Sequence, residues 1–317
     1  MKVENNPSSN RPRHTLINLA LLPKLWLTSR SVRRYALARN LPGLAFDHFG
    51  RKAGKKLLLH SPRSAIVQSL NPVSNVRYFE FEFALNSLPV NCRLCLDVSS
   101  PRLFSLYVAT QQLSTRVHVT NPDAADLLCT ANMARALNLS NLSFESCAID
   151  RVADGGRFDC IWSLSVVKHI SGTYDDSAAV AMMYSLLVPG GRLILTVPVD
   201  REYRLEYRDR DYYGTQPTTE DGRVFFQRNY DASAINERLI SVVGRRPSVL
   251  RWFGEIHPGT FAKHERRCLR QGLRRSVLDP KEIVDNWREY GSWKDMPGWG
   301  VCGIVIDKPT SSNDQRS

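Results

Sequence analysis

The chain has 317 residues, 43% hydrophobic and 23% charged, with 43 Lys/Arg against 31 Asp/Glu and a net charge of +12. That is enough apolar chain to bury a core in one large domain or two small ones. The charge is uneven, with 13 Lys/Arg and 2 Asp/Glu in residues 1–76, so the body is nearly neutral and nucleic acid is an unlikely partner for it. Seven cysteines, an odd number in a chain this long, exclude a disulfide framework and make the cytoplasm the default compartment.

Residues 1–76 read as a basic, partly disordered extension, polar over residues 1–13. LINLALLPKLWL, residues 16–27, is the longest apolar stretch, broken by Asn18, Pro23 and Lys24, so no membrane span is expected. No A-x-A-like cleavage site follows it, so a secretory signal is not expected either. Residues 14–40 mix leucines and Trp26 with Arg30, Arg33, Arg34 and Arg39, the composition of an interfacial amphipathic helix. The same pattern also describes a helix packed on its own body with a solvated basic face. Residues 41–76, with Arg51, Lys52, Lys55 and Lys56, read as a connector holding one short helix. RYFEFEFALNSL, residues 77–88, reads as a helix entering an α/β domain over residues 77–309.

From residue 93 strands and helices alternate. RLCLDV is a short buried strand; Cys92, just before it, and Cys95 lack the second ligand pair of a zinc site and read as plain thiols, so no metal is expected. LFSLYVATQQL is helical, RVHV is a strand, and DAADLLCTANMARAL is a helix that Asn121 or Asp123 can cap. LSFESCAI and FDCIWSLS are strands, AAVAMMYSLL is a helix stopped by Pro189-Gly190-Gly191, and RLILTVPV is another buried strand. This rhythm predicts a doubly wound, mostly parallel sheet covered on both faces. Insertions are expected at residues 201–228 and 258–290. GRVFFQRNYD reads as a strand, ASAINERLI as a helix capped by Asp231 or Ser233, SVLRWFGEI and VCGIVIDK as the last two strands, and residues 310–317 as a polar, disordered tail.

Ligands of an open parallel sheet bind beyond the carboxyl ends of its strands. Those ends carry Asp97, Ser99 and Ser100; Thr120, Asn121 and Asp123; Cys147 and Asp150; Ser163, Leu164 and Ser165; Pro198 and Asp200. CLDVSS, VHVTNPD, SCAID, FDCIWSLSVVKHI and LLVPGGRLILTVPVD, in that order, resemble the class I S-adenosylmethionine-dependent methyltransferases. The resemblance spans roughly residues 78–306 and is strongest over 93–200. It implies a Rossmann-like seven-stranded sheet and S-adenosylmethionine as cofactor. It places Asp97 near the methionine amino group, Ser99 and Ser100 along the loop, and Asn121 at the ribose, with Asp123 as a substitute. Asp150 falls at the adenine, and Ser163 and Ser165 fall near the methionine end.

The loop departs from the family's pattern. Ser99, Pro101 and Leu103 replace glycines, which permit positive φ and close backbone approach. Asn121 replaces a carboxylate, and Lys168 stands where many relatives have an acid. The cofactor has no pyrophosphate to cradle, which makes glycine loss more tolerable than in a dinucleotide site. Pro101-Arg102-Leu103 suits a nicotinamide dinucleotide poorly.

The resemblance implies methyl transfer by in-line displacement. His169, Asp200 and His257 are the positional candidates for a general base. Tyr203, Tyr207, Tyr212 and Tyr213, with Arg201, Arg204, Arg208 and Arg210, could hold a small or glycan-like acceptor, or could form a solvated flap. The charge asymmetry suggests a lipid-linked acceptor met at an anionic membrane surface through residues 14–56. Two other readings remain: a non-catalytic methyltransferase-like scaffold, and a nucleic-acid-binding protein using its basic arm. The sequence leaves the oligomeric state open.

Overall fold

The computed structural model describes residues 20–58, 62–152, 157–209, 211 and 218–310, with the side chains of 62–64 excepted. Residues 1–19, Arg210, Tyr212, Tyr213 and the tail from 311 therefore lie outside the described residues. The chain forms two compact units. One holds Phe83–Trp252 and the segment from Val301 onward; the other holds the N-terminal segment through Glu82 together with Phe253–Gly300.

The N-terminal segment is helical: α1 Leu22–Leu37, α2 Leu44–Lys56, α3 Pro62–Leu70 and α4 Arg77–Ser87. The connector expected to hold one short helix holds two, α2 and α3. Their contact is made of small residues, which apolar periodicity does not reveal. Gly50, Ala53 and Gly54 are buried, and a Cβ on Gly54 would stand 2.8 Å from the Ser69 backbone nitrogen. Helix α1 buries Leu25, Ser29, Val32 and Ala36, one stripe at helical spacing, with Leu25 packed beside Leu70 and Val277. Its other side presents Trp26, 49% exposed, and Leu27, 62% exposed, with Arg30 and Arg34. Arg33 and Arg51 do not belong to that solvated set. Both donate to the fully buried Asp47, at 3.0 and 2.8 Å.

The alternation read from the sequence is present in the first unit. It runs β1 Leu94–Val98, α5 Leu103–Gln111, β2 Arg116–Thr120, α6 Ala124–Ala136, β3 Leu142–Glu145, β4 Phe158–Leu164, α7 Asp176–Ser185 and β5 Leu187–Val199. Strands β1 to β5 pair in parallel in the order β3-β2-β1-β4-β5. Successive strands step outward from β1 to β2 and β3, and the chain then returns to β1's other side for β4 and β5. The order reverses between β1 and β4, the place where such sheets open a crevice. Pro189-Gly190-Gly191 does not merely stop α7. It lies inside β5 as a bulge: Leu187 pairs with Phe158, the register resumes at Cys160 with Arg192, and Gly190 has φ +81°.

Beyond Asp200, β6 Arg204–Arg208 and β7 Val224–Asn229 form a separate antiparallel pair. Helix α8 Ala232–Ile235 is capped by Asp231 and continues as a π-turn through Ile240. Strand β8 is Val249–Glu255. Next come α9 Thr260–Gln271, α10 Leu273–Ser276, α11 Asp279–Asn286, β9 Trp287–Tyr290 and β10 Gly300–Asp307. Among the described residues the sheet has eight strands, β3-β2-β1-β4-β5-β10-β8-β9, one more than the seven expected. The extra strand, β9, lies in the stretch read as a helical insertion. It is four residues long, too short for an alternation signal. No helix among the described residues is long and apolar enough to cross a membrane.

Candidate functional site

The site is built on the tips of β1, β2 and β4. Asp97, one residue before the end of β1, is fully buried. Its Oδ1 accepts the Ser100 N–H at 2.8 Å, and its Oδ2 accepts the Ser105 hydroxyl. Ser105 Oγ also accepts the indole N–H of Trp162 at 3.2 Å. Burial pushes the Asp97 carboxyl above the usual range, while the bonds from Ser105 and Ser100 pull the other way. Asp97 thus holds the turn after β1 from inside.

The turn itself departs from ordinary backbone. Ser99 has φ +54°, and Ser165, just beyond β4, has φ +55°. Among the described residues the other non-glycine positions of positive φ are Asn40, Asn75 and Asn138. Asparagine tolerates the left-handed region; serine rarely enters it. The two serines terminate the two strands that flank the reversal point. Each is pinned by a neighbouring strand. The Ser99 N–H donates to the Thr120 carbonyl at 2.9 Å, as does its hydroxyl at 3.1 Å. The Ser165 N–H donates to the Thr196 carbonyl at 2.9 Å. Ser100 Oγ accepts the Leu164 N–H at 2.9 Å, and buried Ser163 donates weakly to the Val98 carbonyl at 3.4 Å. Ser100 and Ser163 therefore join the β1 and β4 tips, while Ser99 ties β1 to β2 and Ser165 ties β4 to β5.

At the β2 tip Asn121 is buried. Its Oδ1 accepts the Asp123 N–H at 2.9 Å, and its Nδ2 donates to Asp126 Oδ2 at 3.1 Å. Asp123 is the cap of α6, accepting from Ala125 and Asp126 N–H at 3.0 Å. Arg102, in the turn after β1, pairs with Asp126. Asp150 sits exposed in a short 3-10 turn, Ile149–Arg151. The structure places Asp97, Ser99, Ser100, Ser163, Ser165 and Asn121 at the ends of β1, β2 and β4; hydrogen bonds link Asp97 through Ser100 to the β4 tip, and Asn121 to Asp123.

The base candidates separate. His169 Nδ1 lies 2.6 Å from the Phe226 carbonyl. A carbonyl only accepts, so Nδ1 carries the proton, and Nε2 is the basic nitrogen of the neutral ring. Asp200 Oδ1 accepts the Arg201 N–H at 2.8 Å, and its Oδ2 pairs with Arg204 at 2.8 Å. His257 is exposed and belongs to the other unit, where its carbonyl accepts from Thr260 at the start of α9. In the expected acceptor flap, Tyr207 packs edge-on to Phe225 at 5.9 Å. Arg208 pairs with Glu206 at 2.9 Å and lies over the Phe226 ring. Sequence reasoning missed Ser105, Trp162, Arg102 and Asp126. Only the Arg/Asp pair carried a signal, an opposite charge at the first turn of each of two consecutive helices.

No protein-family model matches the chain, and no curated protein matches it. Solved structures do. Geranyl diphosphate C-methyltransferase from Streptomyces coelicolor A3(2) shares 15% identity at a TM-score of 0.47, over 73% of this chain and 77% of that one. A putative sarcosine dimethylglycine methyltransferase from Galdieria sulphuraria shares 12% at 0.46, over 78% and 88%. The [4+2]-cyclase SpnF shares 15% at 0.46, over 74% and 80%. The strand ends themselves therefore carry the functional reading.

Proposed function

We propose that the chain is an S-adenosylmethionine-dependent methyltransferase whose cofactor crevice opens beyond β1, β2 and β4. One observation carries this reading: two serines held in left-handed backbone flank the point where strand order reverses. Such backbone is strained, and strain of this kind concentrates at ligand clamps. The donor set suits an adenosyl group. Short hydroxyls and an amide match a neutral nucleoside, and Arg102, the cation at this turn, is already paired with Asp126 rather than presented to a phosphate. Ser99, Ser100 and Asn121 would meet the nucleoside, Ser165 the methionine end, and Asp150 the adenine edge. Asp97 positions the turn through Ser100 and Ser105.

The bound cofactor supplies an electrophilic methyl on a sulfonium. The chain's part is to align the acceptor with it and to exclude water. For a hydroxyl acceptor, His169 Nε2 is the best-placed base, because the Phe226 carbonyl fixes the ring's tautomer. We place the acceptor among small or glycan-like molecules, lipid-linked and reached at an anionic surface. The support is the outer side of α1, with Trp26 and Leu27 among Arg30 and Arg34, followed by exposed Lys52, Lys55 and Lys56 on α2.

One observation favours a second reading, a non-catalytic scaffold on the same fold. Asn121 has its amide engaged within the chain, by Asp123 and by the Asp126 that also pairs with Arg102. Calorimetry with S-adenosylhomocysteine decides between the two. Saturable one-to-one heat supports the enzyme; a bare baseline with cofactor in large excess supports the scaffold.

A further inference from the structure

A cluster of side chains in the other unit has no part in methyl transfer. His264 and Cys268 sit one turn apart on α9, so both face the same way. Asp279 opens α11, and the sulfur, imidazole and carboxylate ligand atoms all lie within 4.8 Å of one another. His264 is 4% exposed and Asp279 2%. His264 Nε2 lies 2.7 Å from Asp279 Oδ1 and 3.3 Å from Cys268 Sγ. One ring nitrogen thus faces both an anion and a thiol. This is not the chain of a nucleophilic triad, in which the two partners would take opposite nitrogens.

The other nitrogen, Nδ1, is buried and has no hydrogen-bond partner among the described residues. Glu282 Oε2 stands 3.9 Å from it. A cation at Nε2 resolves this arrangement. It would place the ring proton on Nδ1, and Glu282 would then have to close by about 1 Å to accept it, as in the metal–histidine–carboxylate relay that orients metal-bound imidazoles. Glu282 is itself held by Arg275. Asp279 has its outer shell too: its Oδ2 accepts from Asn71 Nδ2 at 3.1 Å and from the Asn75 N–H at 3.2 Å, which leaves Oδ1 for the ion.

We propose that His264 Nε2, Cys268 Sγ and Asp279 Oδ1 form a site for a borderline-soft divalent cation of the zinc class. Thiolate with imidazole selects such an ion over magnesium or calcium. Tetrahedral bonds of about 2.0 Å to nitrogen and oxygen and about 2.3 Å to sulfur hold donors roughly 3.3–3.5 Å apart. The His264–Cys268 separation already meets that spacing, and the Asp279 oxygen has to withdraw by about half an ångström. Binding displaces the thiol proton to solvent. Cys268 is half-buried, so water can complete the fourth position. The ion would tie α9 to the start of α11 within this unit. The proposal is independent of the methyl-transfer reading.

The test uses the full chain, stripped with a chelator and titrated with Co²⁺. The expected result is a one-equivalent endpoint with tetrahedral visible bands and a sulfur-to-cobalt charge-transfer band, all removed by Zn²⁺. Cys268→Ser abolishes the charge-transfer band, Cys92→Ser leaves it intact, and Asn71→Ala weakens binding by about 10-fold or more. A band that persists in Cys268→Ser, that vanishes in Cys92→Ser, or that never forms overturns the proposal. The wild-type protein gives a second readout that needs no variant. Zn²⁺ must slow alkylation of Cys268, followed by peptide mass spectrometry; an unchanged rate refutes the site.

Discussion

Replacing Asp97 by asparagine separates the charge of the buried carboxyl from its hydrogen bonds. The side chain is fully buried and receives the Ser100 N–H and the Ser105 hydroxyl. Asparagine keeps the shape and the acceptor for Ser100, and its NH₂ can donate to Ser105 Oγ. Burial favours the neutral carboxyl, so the folded-state value lies above the ordinary 3.8. The folded protein therefore holds this proton more tightly than the unfolded chain does. Wild-type stability from this group is full below 3.8 and is lost as pH rises through the folded-state value. Asp97→Asn has no such loss, so its stability relative to wild type must improve as pH rises through that window. At neutral pH the two proteins should lie within about 1 kcal/mol. Asp97→Ala instead strands the buried Ser100 N–H and empties the carboxyl's space, and should cost about 2–4 kcal/mol. Urea melts of the three proteins, followed by circular dichroism across a pH series, give these differences, and other titrating groups cancel. A relative stability of Asp97→Asn that falls with rising pH would show that the fold stabilises the anion, and the account of Asp97 would fail.

Other outcomes follow from the same structure. Asp176 is fully buried and accepts from the Tyr230 hydroxyl at 2.8 Å and Arg238 Nε at 3.0 Å, with Arg228 3.3 Å away; Asp176→Ala removes the buried carboxylate facing Arg228, leaves Arg238 with Asp175 alone, and should cost about 3–5 kcal/mol in a urea melt. A Cβ on Gly303 would stand 2.6 Å from the Phe83 ring, so Gly303→Ala should lower stability by about 1–3 kcal/mol, and Phe83→Leu should restore part of it in the double variant. At Ser99, glycine keeps the left-handed turn, whereas valine adds strain of about 1–2 kcal/mol. Calorimetry should find S-adenosylhomocysteine binding retained in Ser99→Gly and weakened in Ser99→Val; equal binding in both would detach the turn from the ligand.

The strand–helix alternation was legible because β1, β4 and the second half of β5 are short apolar runs set between helical stretches. Asp123 and Asp231 cap their helices as their sequence context suggested. What stayed hidden has physical causes. Helices α2 and α3 meet through glycine and alanine, which carry no apolar periodicity. The strained turns at Ser99 and Ser165 were hidden because serine announces no positive φ. The bonds of Asp97 to Ser100 and Ser105 were not legible, because a strand-end acid looks the same in sequence whether it faces a ligand or a helix hydroxyl. The His264–Cys268 spacing was visible on a helical stretch, but Asp279 reaches it only through the packing of α11.

Cys92, Cys95, Cys160 and Cys302 are all buried and unbridged. The native fold thus keeps four thiols away from oxidants, and that protection ends when the core opens. Unfolding then becomes a chemical commitment as well as a conformational one, because freed sulfurs can cross-link faster than the sheet re-forms. A heated sample should regain its native circular dichroism on cooling under a reductant, and progressively less of it in air.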